Sequence, residues 1–149
     1  EFRRVLFRSS GNTPEIDIQY EKRLQETILL LIRLQVINSA HDVSDGGLAV
    51  ALAECCLMNS DKSYGLDIDL DFGSIRKDCY LFGEDQSRII ISADHNNLRQ
   101  IKDIAEKSQI DLKLLGNVTD GSFQINQLID LRLSEMREAY QKSLNTFLS

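Results

Sequence analysis

Two short stretches of the chain concentrate side chains that could do chemistry. The first, Ser39-Ala40-His41-Asp42-Val43-Ser44-Asp45-Gly46-Gly47-Leu48, sets carboxylates, an imidazole, hydroxyls and a glycine pair within ten residues. Glycines take backbone conformations closed to other residues, and a helix opening behind them offers unpaired N–H groups of positive partial charge. Together these suit an oxyanion or a phosphate, with Ser44, Gly46 and Gly47 as its contacts. Asp42 and Asp45 would repel a bare phosphate. A magnesium ion removes the conflict, because it favours oxygen ligands and is commonly held by one or two carboxylates together with phosphate oxygens. Asp42 is the candidate metal ligand. The plainer alternative is that Ser44 or Asp45 caps the helix while the glycines allow tight packing, and that His41 is a partly buried imidazole with a satisfied partner.

The second stretch is Leu81-Phe82-Gly83-Glu84-Asp85-Gln86-Ser87-Arg88. Glu84 and Asp85 could hold a cation, Gln86 and Ser87 could hydrogen-bond a sugar or phosphate, and Arg88 could make a paired bond to a carboxylate or phosphate. The alternative is an acidic turn in which Arg88 pairs internally with Glu84. Neither stretch is an active site by itself, since no activated nucleophile, H-E-x-x-H pair or nucleophile elbow accompanies it.

These stretches need a frame. Tyr20, Leu24, Ile28, Leu31, Leu34 and Ile37 recur at steps of three or four, predicting a long helix over 15–37 with Arg23, Glu26 and Arg33 on its outer face. Ser39 to Val43 reads as extended, and a second helix follows through Leu48, Leu52, Cys55 and Leu57 or Met58. Leu66, Ile68, Leu70 and Phe72 alternate with Asp67, Asp69 and Asp71, the pattern of a strand over 64–72 with one wet face. Cys79 to Phe82 is a short apolar element, and Arg88 to Ala93 a buried strand. A helix carrying Leu98, Ile101, Ile104 and Ala105 starts near Asp94–Asn97. Strands at 112–118 and 123–125 flank an Asp120-Gly121 turn as a hairpin-like pair, and Leu133, Met136, Tyr140, Leu144 and Phe147 mark a terminal helix. The pattern predicts an α/β (α+β) domain: a mixed sheet flanked by helices.

Composition narrows the function. The 149 residues suffice for one domain, with 42% hydrophobic and 27% charged residues, 8 Gly and 1 Pro. Seventeen Lys and Arg against 23 Asp and Glu give a net charge of −6, which disfavours a nucleic-acid surface. The longest aliphatic run, Ile28 to Ile32, falls far short of the roughly 20 residues that cross a bilayer. Cys55, Cys56 and Cys79 lack a zinc or disulfide spacing and fit reduced thiols in the cytoplasm. Residues 1–10 carry Arg3, Arg4 and Arg8 against Glu1, a break from the acidic remainder. They read as an extraneous leader, with Gly11 to Pro14 as a linker into a domain over 11–149.

The motifs SAHDVSDGGLAVALAE at 39–54 and LFGEDQSRIIIS at 81–92, in register with LLGNVTDG at 114–121 and IDLRLSEMREAYQKSL at 129–144, resemble the carboxy-terminal end of the phosphoribosylformylglycinamidine synthase family. The resemblance implies the carboxy-terminal domain fold of the aminoimidazole ribonucleotide (AIR) synthetase superfamily. It also implies a parent that uses ATP and magnesium to convert formylglycinamide ribonucleotide to its amidine with glutamine-derived ammonia, a step of purine biosynthesis. Implied partners are the preceding domains of the same synthetase, a glutaminase subunit or domain, and the ribonucleotide substrate. Family proteins have two related halves. In the first, the counterparts of Asp42, Glu84, Asp85 and Gln86 contact magnesium and substrate; in the second, which this chain resembles, the pocket is associated with an auxiliary structural nucleotide. Asp85 stands where family members can carry Ser. On this reading the chain alone is catalytically silent. The rival readings are the same domain of another member of the superfamily, or a non-catalytic nucleotide-binding scaffold module.

Overall fold

The computed structural model describes residues 16–58 and 64–148; side chains of 143–148, Leu144 and Phe147 among them, lie outside the description, as do the leader and linker expected at 1–14. Helix α1 spans Ile18–Arg33. Asp17 opens it by accepting the Gln19 and Tyr20 N–H groups at 2.9 and 3.0 Å, and Glu21 and Arg33 complement the helix dipole at either end. The expected run to Ile37 is cut short because Gln35 turns left-handed (φ 55°) and Val36 N–H reaches back to Leu31 O, a Schellman closure that returns Val36 to the core. Strand β1 (Ser39–Asp42) and helix α2 (Gly47–Leu57) follow.

Strand β2 is Gly65–Ile68, shorter than the 64–72 pattern. The alternation itself persists: Leu66, Ile68 and Leu70 are buried and Asp67, Asp69 and Asp71 exposed. Beyond Ile68 the side chain of Asn126, in place of a neighbouring strand, accepts the Leu70 N–H at 3.1 Å. The apolar element before Gly83 is a helix, α3 (Lys77–Phe82). Strand β3 (Ile89–Ser92) is half-buried along its length rather than buried; among the described residues β1 alone pairs with it. A single 3-10 turn at His95–Asn97 leads into α4 (Leu98–Lys107), which ends like α1, on a left-handed Gln109 with Ile110 N–H bonded to Ala105 O.

Strand β4 is Gly116–Thr119, shorter than the expected 112–118 start, and β5 is Phe123–Ile125. They are not the hairpin that Asp120-Gly121 suggested. Instead they flank β2, β4 antiparallel and β5 parallel to it, giving the order β4-β2-β5-β6. The hairpin lies one step later, between β5 and β6 (Ile129–Leu131), a strand the sequence pattern had not revealed. Helix α5 (Leu133–Leu148) closes the fold.

Two cores result. Leu66, Ile68, Phe123 and Ile125 on one face of the sheet pack with Leu48, Leu52 and Cys56 of α2 and Met136 of α5. Leu31, Val36 and Ile101 form a second core under α1 and α4. The β1–β3 ribbon joins them: Ile90 packs on the first core and its neighbour Ile91 on the second, as strand alternation requires.

Candidate functional site

The ribbon brings the two chemical stretches together. Asp42 stands opposite Ile89, and Val43 N–H continues the pairing onto Arg88 O at 3.0 Å. The chain then bends through Asp45-Gly46-Gly47 into α2, with Gly46 at φ 83° and Gly47 at φ 72°. Gly47 lies so close to the end of α3 that a Cβ on it would sit 2.7 Å from the Phe82 carbonyl carbon and 2.8 Å from Gly83 O. This contact delivers the loop at 83–88 to the mouth of α2.

At that mouth Glu84 Oε1 accepts the Gly46 N–H at 2.9 Å. Neither Ser44 nor Asp45 caps the helix through its side chain; Ser44 contributes its carbonyl, which accepts the Gly47 N–H at 3.0 Å. The cap comes from a residue 38 positions away, and its carboxylate holds the place an oxyanion would take at a helix N-terminus.

Arg88 does not pair with Glu84. One guanidinium nitrogen donates to Gly83 O, closing the loop on itself, and stands 3.9 Å from an Asp85 carboxylate oxygen that is otherwise exposed. Arg88 Nε is buried without a partner among the described residues. Ser87, left-handed at φ 61°, donates its hydroxyl to Glu21 of α1. Asp45, Glu84, Asp85 and Gln86 are all exposed.

Strand alternation sets Asp42 on the opposite face of the ribbon from His41. His41 Nε2 lies 3.0 Å from Glu54 Oε2 of α2, the satisfied imidazole of the plainer reading, at a small cleft of about 130 Å³ shared with Leu57, Met58 and Tyr140. Asp42 is exposed at the strand end. Among the described residues no three His, Cys, Asp or Glu side chains form a metal cage. The donor set therefore fits magnesium only in its sparse mode, in which one or two carboxylates such as Asp42 act with phosphate oxygens and water. The two stretches carry four exposed carboxylates, of Asp42, Asp45, Glu84 and Asp85, against the guanidinium of Arg88, a balance that does not favour a bare anion.

Two participants had escaped the sequence pattern. Glu54 closes the first motif but lies 13 residues from His41, and Glu21 is one of several charged residues on the long first helix, with nothing in its spacing to single it out. No described helix is long and apolar enough to cross a membrane.

The model of the family "AIR synthase related protein, C-terminal domain" matches residues 2–126. Among curated proteins, phosphoribosylformylglycinamidine synthase subunit PurL of Prochlorococcus marinus is 38% identical over 148 residues, covering 91% of this chain and 18% of its own length. The subunit of the same name from Symbiobacterium thermophilum is 34% identical over 151 residues, covering 91% of this chain and 19% of its own. The chain thus spans about a fifth of the length of these relatives. Among solved structures, phosphoribosylformylglycinamidine synthase II of Thermotoga maritima superposes with a TM-score of 0.69 at 17% identity, over 83% of this chain and 22% of that one. At that identity the likeness concerns the fold. The T. maritima protein has also been solved with ATP and as the assembly PurLQS.

Proposed function

Because this chain belongs to the family of AIR synthase related proteins, as their C-terminal domain, we propose that it is one wall of a nucleotide pocket in a phosphoribosylformylglycinamidine synthase. The parent enzyme converts formylglycinamide ribonucleotide, ATP and glutamine-derived ammonia to the amidine in the cytoplasm. The domain works with the preceding domains of the same synthetase and with a glutaminase subunit or domain. The observation that carries this reading is the 2.9 Å bond from Gly46 N–H to Glu84, which joins the two motifs at one helix mouth.

In this role Asp42 is the magnesium ligand; Gly46 and Gly47, whose N–H groups already serve Glu84 and Ser44 O, allow close backbone approach to the phosphates, with Ser44 beside them. Glu84, Asp85, Gln86, Ser87 and Arg88 form the opposing lip. Bound magnesium neutralises charge on the phosphates of ATP or ADP. The residues of this chain orient that nucleotide and exclude competing anions, Glu84 by already occupying the α2 terminus. Turnover belongs to the preceding domains, so the chain alone is silent.

Asp42→Asn in the full-length synthetase tests the assignment. Magnesium-dependent retention of ADP through gel filtration should weaken by about tenfold or more, as expected when a charged ligand is replaced by a neutral one, with the melting temperature unchanged. Unaltered retention would overturn the role of Asp42. Tight magnesium-dependent ADP binding by the isolated 149-residue chain would favour a standalone nucleotide-binding module instead.

A further inference from the structure

The loop at 83–88 has no regular structure at its tip, and its function depends on where that tip lies. Its base is secured by Gly83 N–H to Cys79 O at 2.9 Å, by Val43 N–H to Arg88 O at 3.0 Å, and by the Arg88 guanidinium on Gly83 O. Its tip contains Ser87 at φ 61°, a left-handed conformation that a residue with a side chain enters at a cost. Something must hold Ser87 there. Its hydroxyl donates at 2.5 Å to Glu21 Oε2, in the first turn of α1 and 66 residues away in the chain.

Glu21 is itself oriented, because Gln25 Nε2 donates to its other oxygen at 2.7 Å. The Ser87 hydroxyl, and after it the Gln25 amide, hold the Glu21 carboxyl below the usual glutamate range, so the acceptor is charged at neutral pH. Below this anchor α1 is fixed by Leu24, Thr27 and Leu31, which are buried. A firmly packed helix thus carries the acceptor for the least regular part of the site.

We propose that Glu21 is a positioning residue: by anchoring Ser87 it fixes the 83–88 loop so that Glu84 meets the Gly46 N–H and Asp85 and Gln86 face outward. The consequence for nucleotide binding rests on the function proposed above, whereas the anchoring does not.

Amide chemical shifts and hydrogen exchange on the ¹⁵N-labelled 149-residue chain test the anchoring directly. Glu21→Ala and Ser87→Ala should each shift the amides of 84–88 and of Gly46 and speed Gly46 exchange by about tenfold, the scale of one lost charge-assisted hydrogen bond. Glu21→Gln, which keeps an acceptor, should restore most of the wild-type spectrum, and the double alanine variant should add nothing further. Unmoved amides in both single variants, or additive effects in the double, would overturn the proposal. Should Glu21→Ala fail to fold, Ser87→Ala decides the matter, since it removes only a hydroxyl. In the full-length synthetase, Glu21→Ala should weaken magnesium-ADP retention and Glu21→Gln rescue it. A wild-type synthetase that retains no magnesium-ADP would refute the function proposed above, while the amide measurements still decide the role of Glu21.

Discussion

Replacing Gly47 by alanine should damage the fold at the point where the two motifs meet. Two effects add. At φ 72° any side chain is strained, by about 1–2 kcal/mol. The new Cβ would also lie 2.7 Å from the Phe82 carbonyl carbon and 2.8 Å from both Phe82 Cα and Gly83 O. These are backbone atoms that cannot rotate away, and forcing them apart costs about 1–3 kcal/mol. Gly73 is the internal control, since its φ is 52° but nothing lies within 4 Å of a built Cβ. Gly73→Ala therefore carries the conformational part alone. For a domain of this size about 1 kcal/mol moves the melting temperature by roughly 3–4 °C. Gly73→Ala should then lower it by about 3–8 °C and Gly47→Ala by about 6–20 °C, by circular dichroism at one protein concentration. If the two variants melt together, α2 and the end of α3 do not approach as described, and the meeting of the two motifs loses its structural basis.

The cysteines should separate by reactivity. Cys56 is buried, its thiol pushed up to about 12 chiefly by desolvation, and Cys79 is exposed, so a thiol reagent at pH 8 should label Cys79 first and Cys56 only on unfolding. Stability should hold from pH 7 to 5 and fall below about pH 4. Ser87 holds the Glu21 carboxyl, Arg76 the Asp78 carboxyl and Arg132 the Glu135 carboxyl below their ordinary values. Their contribution is present above the unfolded value and is lost as pH drops through the lower folded ones. Thermal melts that rise on acidification would contradict this.

Much of the site was legible in the sequence, for a physical reason. The glycine pair, the acidic loop and the Ile-rich strand are local signals, and local signals specify local structure. Burial of Leu66, Ile68 and Leu70 opposite Asp67, Asp69 and Asp71 followed from alternation alone. Helix ends did not. Both α1 and α4 stop on a left-handed glutamine, Gln35 and Gln109, where no glycine announces the stop and the closure depends on Val36 and Ile110 finding a core. Pairing did not either: Asp120-Gly121 marks a turn, but which strands it separates depends on β2, more than 50 residues earlier. The capping of α2 by Glu84 and the anchoring of Ser87 by Glu21 are long-range contacts between residue types common on any surface, so no spacing could betray them.

The position of β2 between β4 and β5 has a consequence for biosynthesis. Residues 65–68 leave the ribosome some 50 residues before either neighbour exists. At about 5–20 residues per second that is roughly 3–10 s during which Leu66 and Ile68 lack both of these neighbours. Among the described strands β5 and β6 are the pair joined by a short turn, so β2 completes its pairing only once Phe123 has been made, and any pause in translation before it prolongs the interval in which Leu66 and Ile68 lack their partners.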